Sequence, residues 1–358
     1  MSGRDSNRHV IPEGDNINGY IVTKLVGVGG FGEIYAIKDN NSHKYAMKSE
    51  SVNSPKRTLL TETKIFKELK GGYFPKYIDS GTNKKYNIDY LIMSYLGASI
   101  GEIQVYHDYK IEIEAAYNIC LKMLEAIKAF HSCGFVHRDI KPNNFLIQKS
   151  KHFPIVLIDF NLSARHIDPD TNQPFPCENE QQFIGTRKYA SIDVLSLLSY
   201  GRKDDLISWF YSFLDIACGS LPWESEKDSK KAISMRESFQ LSDLSYKFPK
   251  KFQEIYDYLK SLKYSDKPDY DHIKKLFKEG MEDDLFDPTQ FNWSDFVSKH
   301  SNMTKFEEKM GLMTLKFIND KNNKQKKKKH TEAKEVEKKE KNHSKKHGKK
   351  GKKDCLIQ

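Results

Sequence analysis

Long apolar runs are missing from this 358-residue chain. None approaches the roughly eighteen consecutive apolar residues that would announce a membrane-spanning helix. Cysteine is scarce, with five residues at Cys120, Cys133, Cys177, Cys218 and Cys355, and no two form a CxxC pair. That spacing argues against a disulfide framework or a zinc site and for a reducing compartment. The first residues, Met1 to Val10, are polar, so no signal peptide is expected. Charge of one sign is also missing from most of the chain. The formal net charge is +10, but sixteen lysines and only five acidic residues fall between Lys321 and Asp354. The rest is therefore close to neutral, and the basic excess belongs to one low-complexity stretch. What is present is 38% hydrophobic and 30% charged residues, enough apolar mass for a sizeable core. The length suits a two-lobed domain with additions.

The most informative stretch is His137-Arg138-Asp139-Ile140-Lys141-Pro142-Asn143-Asn144. One turn carries a carboxylate, a lysine two residues on and an asparagine five residues on. A carboxylate can take or orient a hydroxyl proton, a lysine can neutralise a transferring phosphoryl group, and an asparagine can hold a metal ion. The stretch resembles the catalytic loop of protein kinases, H-R-D-x-K-P-x-N.

Upstream, Gly27-Val28-Gly29-Gly30-Phe31-Gly32-Glu33-Ile34-Tyr35 follows an alternating strand pattern. A dinucleotide-binding unit would need a helix directly after the glycines. Here a second strand follows, so the glycines sit in a hairpin where backbone N–H groups can approach phosphates. Lys44-Tyr45-Ala46-Met47-Lys48 resembles the kinase V-A-I-K strand, which implies that Lys48 pairs with the α- and β-phosphates of ATP. Glu62, on a helix-period segment from Thr58 to Leu69, is the expected acid that holds Lys48 extended. Leu91-Ile92-Met93 ends a strand, and Ser94-Tyr95-Leu96-Gly97 reads as the connection between lobes. The resemblance implies that its backbone hydrogen-bonds an adenine, with Ser94 and Leu96 in contact and Met93 lining the back of the pocket. Apolar spacing from Glu112 to His131 predicts a core-facing helix in which Cys120 and Met123 are packing.

After the loop comes Asp159-Phe160-Asn161, where kinases usually have D-F-G. Asp159 would hold Mg²⁺ together with Asn144. Asn161 is a departure, softened because Asn enters positive φ more easily than most residues. The stretch from Ser163 to Phe183 reads as a polar surface loop. Gly185-Thr186-Arg187-Lys188-Tyr189-Ala190-Ser191-Ile192-Asp193 follows it and resembles the casein kinase 1 superfamily, whose members read roughly G-T-x-R-Y-A-S-I-N there. Arg202-Lys203-Asp204-Asp205-Leu206, Gly219-Ser220-Leu221-Pro222-Trp223 and Asp266-Lys267-Pro268-Asp269-Tyr270 agree with that branch. The glycine-loop run and Phe291-Asn292-Trp293 look most like its tau-tubulin kinase members.

The resemblance implies a two-lobed α+β serine/threonine protein kinase using ATP and Mg²⁺, and a monomer. Asp139 is the expected proton acceptor, Lys141 steadies the γ-phosphate and Thr186 braces Asp139. Asp205 anchors the catalytic-loop backbone. The ATP contacts are Gly27, Val28, Gly29, Gly30, Phe31, Gly32, Ile34, Ala46, Lys48, Met93, Ser94 and Leu96. Arg187, Lys188 and Lys227 are the expected substrate-anion contacts, favouring acidic or already phosphorylated protein sites. A catalytically silent scaffold is the alternative, supported by Asn161 alone.

The expected organisation is a leader over 1–18, an N-lobe over 19–93, a hinge over 94–97 and a C-lobe over 98–297. A helical extension (298–318) and a disordered polybasic tail (319–354) follow. The last four residues, Cys355-Leu356-Ile357-Gln358, form a C-a-a-X ending. Gln in the last place points to farnesylation of Cys355. Farnesyl and polybasic tail together predict attachment to the cytoplasmic face of a membrane. Nuclear localisation or nucleic-acid binding through the lysines is the alternative.

Overall fold

Strand alternation decides the first third of the molecule. The computed structural model describes residues 10–28, 32–178, 182–287 and 289–301. Gly29, Gly30 and Phe31 lie outside the described residues, as does everything from residue 302 on, which takes in most of the expected extension, the tail and Cys355. A six-stranded antiparallel sheet has the order β1-β2-β3-β4-β6-β5, built from β1 (Asn16–Ile17), β2 (Tyr20–Val28), β3 (Glu33–Lys38), β4 (Lys44–Ser51), β5 (Tyr77–Asn83) and β6 (Ile88–Ser94). Between β4 and β5 lies α1 (Thr58–Glu68), whose buried face is Leu59, Glu62, Ile65 and Phe66.

Register sorts the sheet into two faces, because successive side chains alternate and paired residues share a side. Gly27 pairs with Ile34, Ile34 with Lys48, and Ala46 with Met93, so these five positions lie on one face. The opposite face carries Tyr35, Ile37, Met47, Tyr90 and Ile92, all buried. Ile11 and Ile17 join that core, and the Ile11 N–H donates to the Tyr35 hydroxyl at 3.1 Å. The expected boundary at residue 19 is therefore too late. Isolated apolar residues in the polar leader cover the outer face of the sheet.

The second part is mainly helical: α2 (Ile100–Tyr106), α3 (Ile113–Ser132), and, after the short strands β7 (Phe135–Val136), β8 (Phe145–Ile147), β9 (Ile155–Leu157) and β10 (Ala164–Arg165), the helices α4 (Ile192–Leu195), α5 (Arg202–Cys218), α6 (Ser229–Ser238), α7 (Lys250–Ser261), α8 (Tyr270–Asp283) and α9 (Trp293–His300). A β-rich lobe followed by a mainly helical one is the α+β architecture expected. Cys120 and Met123 are fully buried in α3, and the Cys120 carbonyl accepts from Trp209 Nε1 of α5 at 2.9 Å. Stacked Tyr117, Phe213 and Phe252 continue the core toward α7, with centroids 5.2–5.7 Å apart. α9 runs past the expected C-lobe boundary at 297. No helix among the described residues is long and apolar enough to cross a membrane.

The 163–183 stretch is less superficial than its polarity suggests. Ser163 and His166 are buried, and β10 pairs antiparallel with β7. Pro174 bridges back to Ile167.

Candidate active site

The site is assembled where the inner face of the sheet meets the loops between β7 and β10. Lys48 reaches from β4 to Glu62 Oε2 at 2.7 Å and to Asp159 Oδ1 at 2.6 Å. Burial works against the ammonium, but the charges and hydrogen bonds of the two carboxylates more than offset it and hold Lys48 above the ordinary lysine value. Burial likewise opposes ionisation of Asp159, and Lys48 overcomes it, so Asp159 lies below the usual carboxylate range. The other Glu62 oxygen, Oε1, accepts the Phe160 N–H at 3.1 Å. One helical glutamate thus fixes both the lysine and the backbone after Asp159.

Phe160 turns inward, its ring 5.1 Å from Phe130 and 5.6 Å from Phe66 between centroids. That packing aims Asp159 at the cleft. The residue in the left-handed region is Asp159 itself, at φ 69°. Asn161 instead sits in a single 3₁₀ turn, Phe160–Leu162, with φ outside that region, so the expected use of Asn at positive φ is corrected. Its buried Nδ2 has no hydrogen-bond partner among the described residues.

The catalytic-loop stretch is pinned from below. Asp205, fully buried on α5, accepts from the backbone N–H groups of His137 (2.7 Å) and Arg138 (3.0 Å), from the Tyr200 hydroxyl (3.0 Å) and from His131 Nε2 (2.8 Å). Tyr270 donates to the other ring nitrogen of His131 at 2.6 Å, which fixes its neutral tautomer. His137 is held the same way: Nε2 donates to the Ile158 carbonyl at 2.9 Å and Nδ1 accepts the Asp139 N–H at 3.3 Å. Buried backbone groups find partners, as they must.

On this floor stands Asp139. Its Oδ1 accepts the Thr186 hydroxyl at 2.6 Å and its Oδ2 accepts Lys141 Nζ at 2.6 Å, while Lys141 also reaches Thr186 Oγ1 at 3.1 Å. Gly185 brings Thr186 this close. It has φ +99°, and a Cβ there would lie 2.5 Å from the Arg138 carbonyl oxygen. Gly32 is constrained at the other side of the cleft, where a Cβ would meet the Ser49 carbonyl oxygen at 1.8 Å. Asn144 donates through Nδ2 to the Asp139 carbonyl at 2.8 Å, which identifies Oδ1 as the amide's lone-pair atom for a cation. A carboxylate on Asp159 and an amide oxygen on Asn144 form an all-oxygen set, the kind Mg²⁺ prefers.

The Ser94 N–H donates to the Lys76 carbonyl at 3.0 Å. One expected contact is corrected. Lys188 is not available as an anion contact. Its ammonium lies 2.8 Å from Asp215 Oδ1 and 2.9 Å from Glu224 Oε1, with its side chain 16% exposed. Arg187 and Lys227 do come together: the guanidinium donates to the Lys227 carbonyl and the Ser229 hydroxyl, each at 3.1 Å, and the Lys227 side chain is exposed. Of the remaining expected nucleotide contacts, Val28 is exposed at the lip, and Ile34, Ala46, Met93 and Leu96 are half-buried.

The sequence reading missed Asp215, Glu224 and Arg236. Arg236, nearly fully buried, donates to the Arg187 carbonyl at 2.8 Å and the Lys188 carbonyl at 3.3 Å, and stacks 4.5 Å from the Trp223 ring centroid. One signal was available for Asp215, an acid inside the mostly apolar run Trp209–Ile216, because a buried charge demands a partner.

Comparison with known proteins agrees with this geometry. The family profile described as "Protein kinase domain" matches residues 20–285. A probable serine/threonine-protein kinase of Dictyostelium discoideum is 33% identical over 280 residues, covering 76% of this chain and 56% of that protein. The chain thus spans little more than half the length of this curated relative.

Proposed function

This chain belongs to the protein kinase family, and from that premise we propose that it phosphorylates serine and threonine hydroxyls of proteins in the manner of the casein kinase 1 superfamily. The observation that carries the reading is the Asp139 carboxylate held between Lys141 and Thr186, with the Lys141 charge also acting on Asp159 of the Lys48–Glu62–Asp159 cluster. Asp139 accepts or orients the proton of the acceptor hydroxyl. Lys141 keeps a positive charge beside it, where negative charge gathers during transfer. Lys48 binds the nucleotide phosphates, and Glu62 keeps that lysine extended. Asp159 and Asn144 hold Mg²⁺, and ATP bound with it supplies the transferable γ-phosphoryl group. The lysine two residues after Asp139, and the printed name of the Dictyostelium relative, support serine and threonine over tyrosine. Mg²⁺-dependent transfer from radiolabelled ATP to a protein substrate, compared between the parent and Asp139→Asn, tests the assignment. Arg187 and Lys227 make a basic lip that favours acidic or already phosphorylated flanks.

Activity is expected without phosphorylation of the 163–183 segment. Of the candidates Ser163, Thr171 and Thr186, the Ser163 hydroxyl is turned inward onto the His137 carbonyl and the Thr186 hydroxyl is committed to Asp139, which leaves Thr171 as the exposed one. Enzyme made in bacteria and stripped by phosphatase should keep its rate. A fall of tenfold or more, about 1.4 kcal/mol of barrier, overturns this expectation.

The polybasic stretch and Cys355 support a reading of their own, a farnesylated kinase on the cytoplasmic face of a membrane. One lipid chain gives only reversible attachment, and each lysine near an anionic leaflet adds about 1 kcal/mol. Fractionation of wild type and Cys355→Ser in a eukaryotic cell tests this together with its premise, a free carboxyl terminus at Gln358. Wild type is expected on membranes and the variant in the soluble fraction. A variant that stays on membranes as fully as wild type, or a nuclear location of both, rejects the anchor.

A further inference from the structure

Two adjacent cations, Arg187 and Lys188, follow the threonine that touches Asp139, and their surroundings differ. Arg187 is half-buried, and its guanidinium contacts neutral oxygens, the Lys227 carbonyl and the Ser229 hydroxyl. Lys188 lies between two carboxylates. Asp215 approaches from α5, 1% exposed, and its position is fixed because it also accepts the Tyr189 hydroxyl at 2.8 Å. Glu224 approaches from the turn after Trp223 with its side chain 45% exposed. The Lys188 backbone is held as well, its carbonyl accepting Trp223 Nε1 at 2.8 Å. Against burial, Asp215 and Glu224 raise the Lys188 pKa, so the ammonium persists between the two carboxylates.

We propose that Asp215 and Glu224 withdraw Lys188 from substrate recognition and make Glu224 a specificity-determining residue that disfavours acidic or phosphorylated side chains on its side of the acceptor. This deepens the kinase reading above and rests on it. Lys188 is two residues from Thr186, so their Cα atoms are at most about 7 Å apart and a peptide at Asp139 passes within reach. An incoming anion meets the exposed Glu224 carboxylate before the shielded ammonium, and like charges brought together are penalised. Among the described residues no carboxylate pairs with Arg187 or Lys227, although Glu226 and Asp228 flank Lys227 in the chain. The preferred peptide is therefore acidic toward that lip and neutral or basic toward Glu224.

The test uses the full-length enzyme and a peptide series in which phosphoserine or alanine is placed at each position around one acceptor serine. Glu224→Gln keeps the size of the side chain, removes the half-exposed anion, and leaves Asp215 as the only counter-ion of Lys188. At one flanking position it should raise the ratio of kcat/KM for the phosphoserine peptide over the alanine peptide by about fivefold, the upper range for a partly exposed ion pair. The double variant Lys188→Gln/Glu224→Gln should keep only part of that gain, because it still lacks the repelling Glu224 carboxylate but no longer has the ammonium. A ratio unchanged in Glu224→Gln overturns the proposal, as does a gain that survives undiminished in the double variant. No transfer to any peptide by the parent enzyme would instead overturn the kinase reading itself.

Discussion

Asp139→Asn should lower kcat for peptide phosphorylation by about 10³-fold, within the range a positioned general base contributes. The substitution keeps the shape of the side chain. An Asn there still offers one oxygen to Thr186 or Lys141, and the four donors on Asp205 still hold the loop beneath it. What it loses is the charge and the ability to take a proton. The Lys48–Glu62–Asp159 cluster does not include Asp139, so the KM for ATP should change little while kcat collapses. Steady-state kinetics at saturating Mg²⁺, with thermal unfolding as the check on folding, separates the two. A variant that keeps more than about a tenth of the parent rate would remove Asp139 from the proton-accepting role, since a tenfold effect is only about 1.4 kcal/mol. A parent as inactive as the variant would make the chain a binding scaffold, the reading Asn161 alone supports.

The parts of this site that were legible in the sequence are those fixed by local periodicity. Glu62 falls on the same helical face as Leu59, Ile65 and Phe66, so its burial beneath the sheet follows from the 3.6-residue repeat. Ala46, Lys48 and Met93 share a sheet face because alternation and antiparallel pairing leave no other choice. The carboxylate, lysine and asparagine of the 137–144 loop converge because one turn is too short to send them apart.

What was not legible depends on partners far away in the chain. Lys188 has the residue type of an anion contact, and only the fold brings Asp215 and Glu224, 27 and 36 positions later, to neutralise it. Ser94 loses its N–H to Lys76, 18 residues earlier, through a pairing between strand ends that composition does not encode. Asn161 carries a residue-level licence for positive φ. The strain falls on Asp159 instead, because Phe160 must enter the pocket formed by Phe66, Phe74 and Phe130.

Asp205→Asn should cost about 2–6 kcal/mol of stability, from two buried donors left without acceptors at about 1–3 kcal/mol each. Oδ2 takes the His137 N–H and His131 Nε2, and Oδ1 takes the Arg138 N–H and the Tyr200 hydroxyl. Whichever way an amide is turned, its NH₂ confronts one backbone N–H that cannot rotate and one side-chain donor. Glutamine or alanine would change volume as well, so Asn isolates the polar defect.

The pH dependence has a definite sign. Burial raises the Asp205 pKa, but the hydrogen bonds from His131 and from the His137 N–H outweigh it, and the folded-state value lies below the ordinary carboxyl range. A depressed folded pKa contributes stability that is fully present above the unfolded value near 3.9 and is lost as pH falls through the folded one. The stability difference between parent and variant should therefore be constant from about pH 5 to 8 and shrink below about pH 4. Denaturant unfolding at pH 7 and at pH 3.5 measures both numbers. A cost under about 1 kcal/mol at pH 7 would show that the loop carrying Asp139 does not depend on this carboxylate, and its anchoring would have to be sought in the His137–Ile158 contact instead.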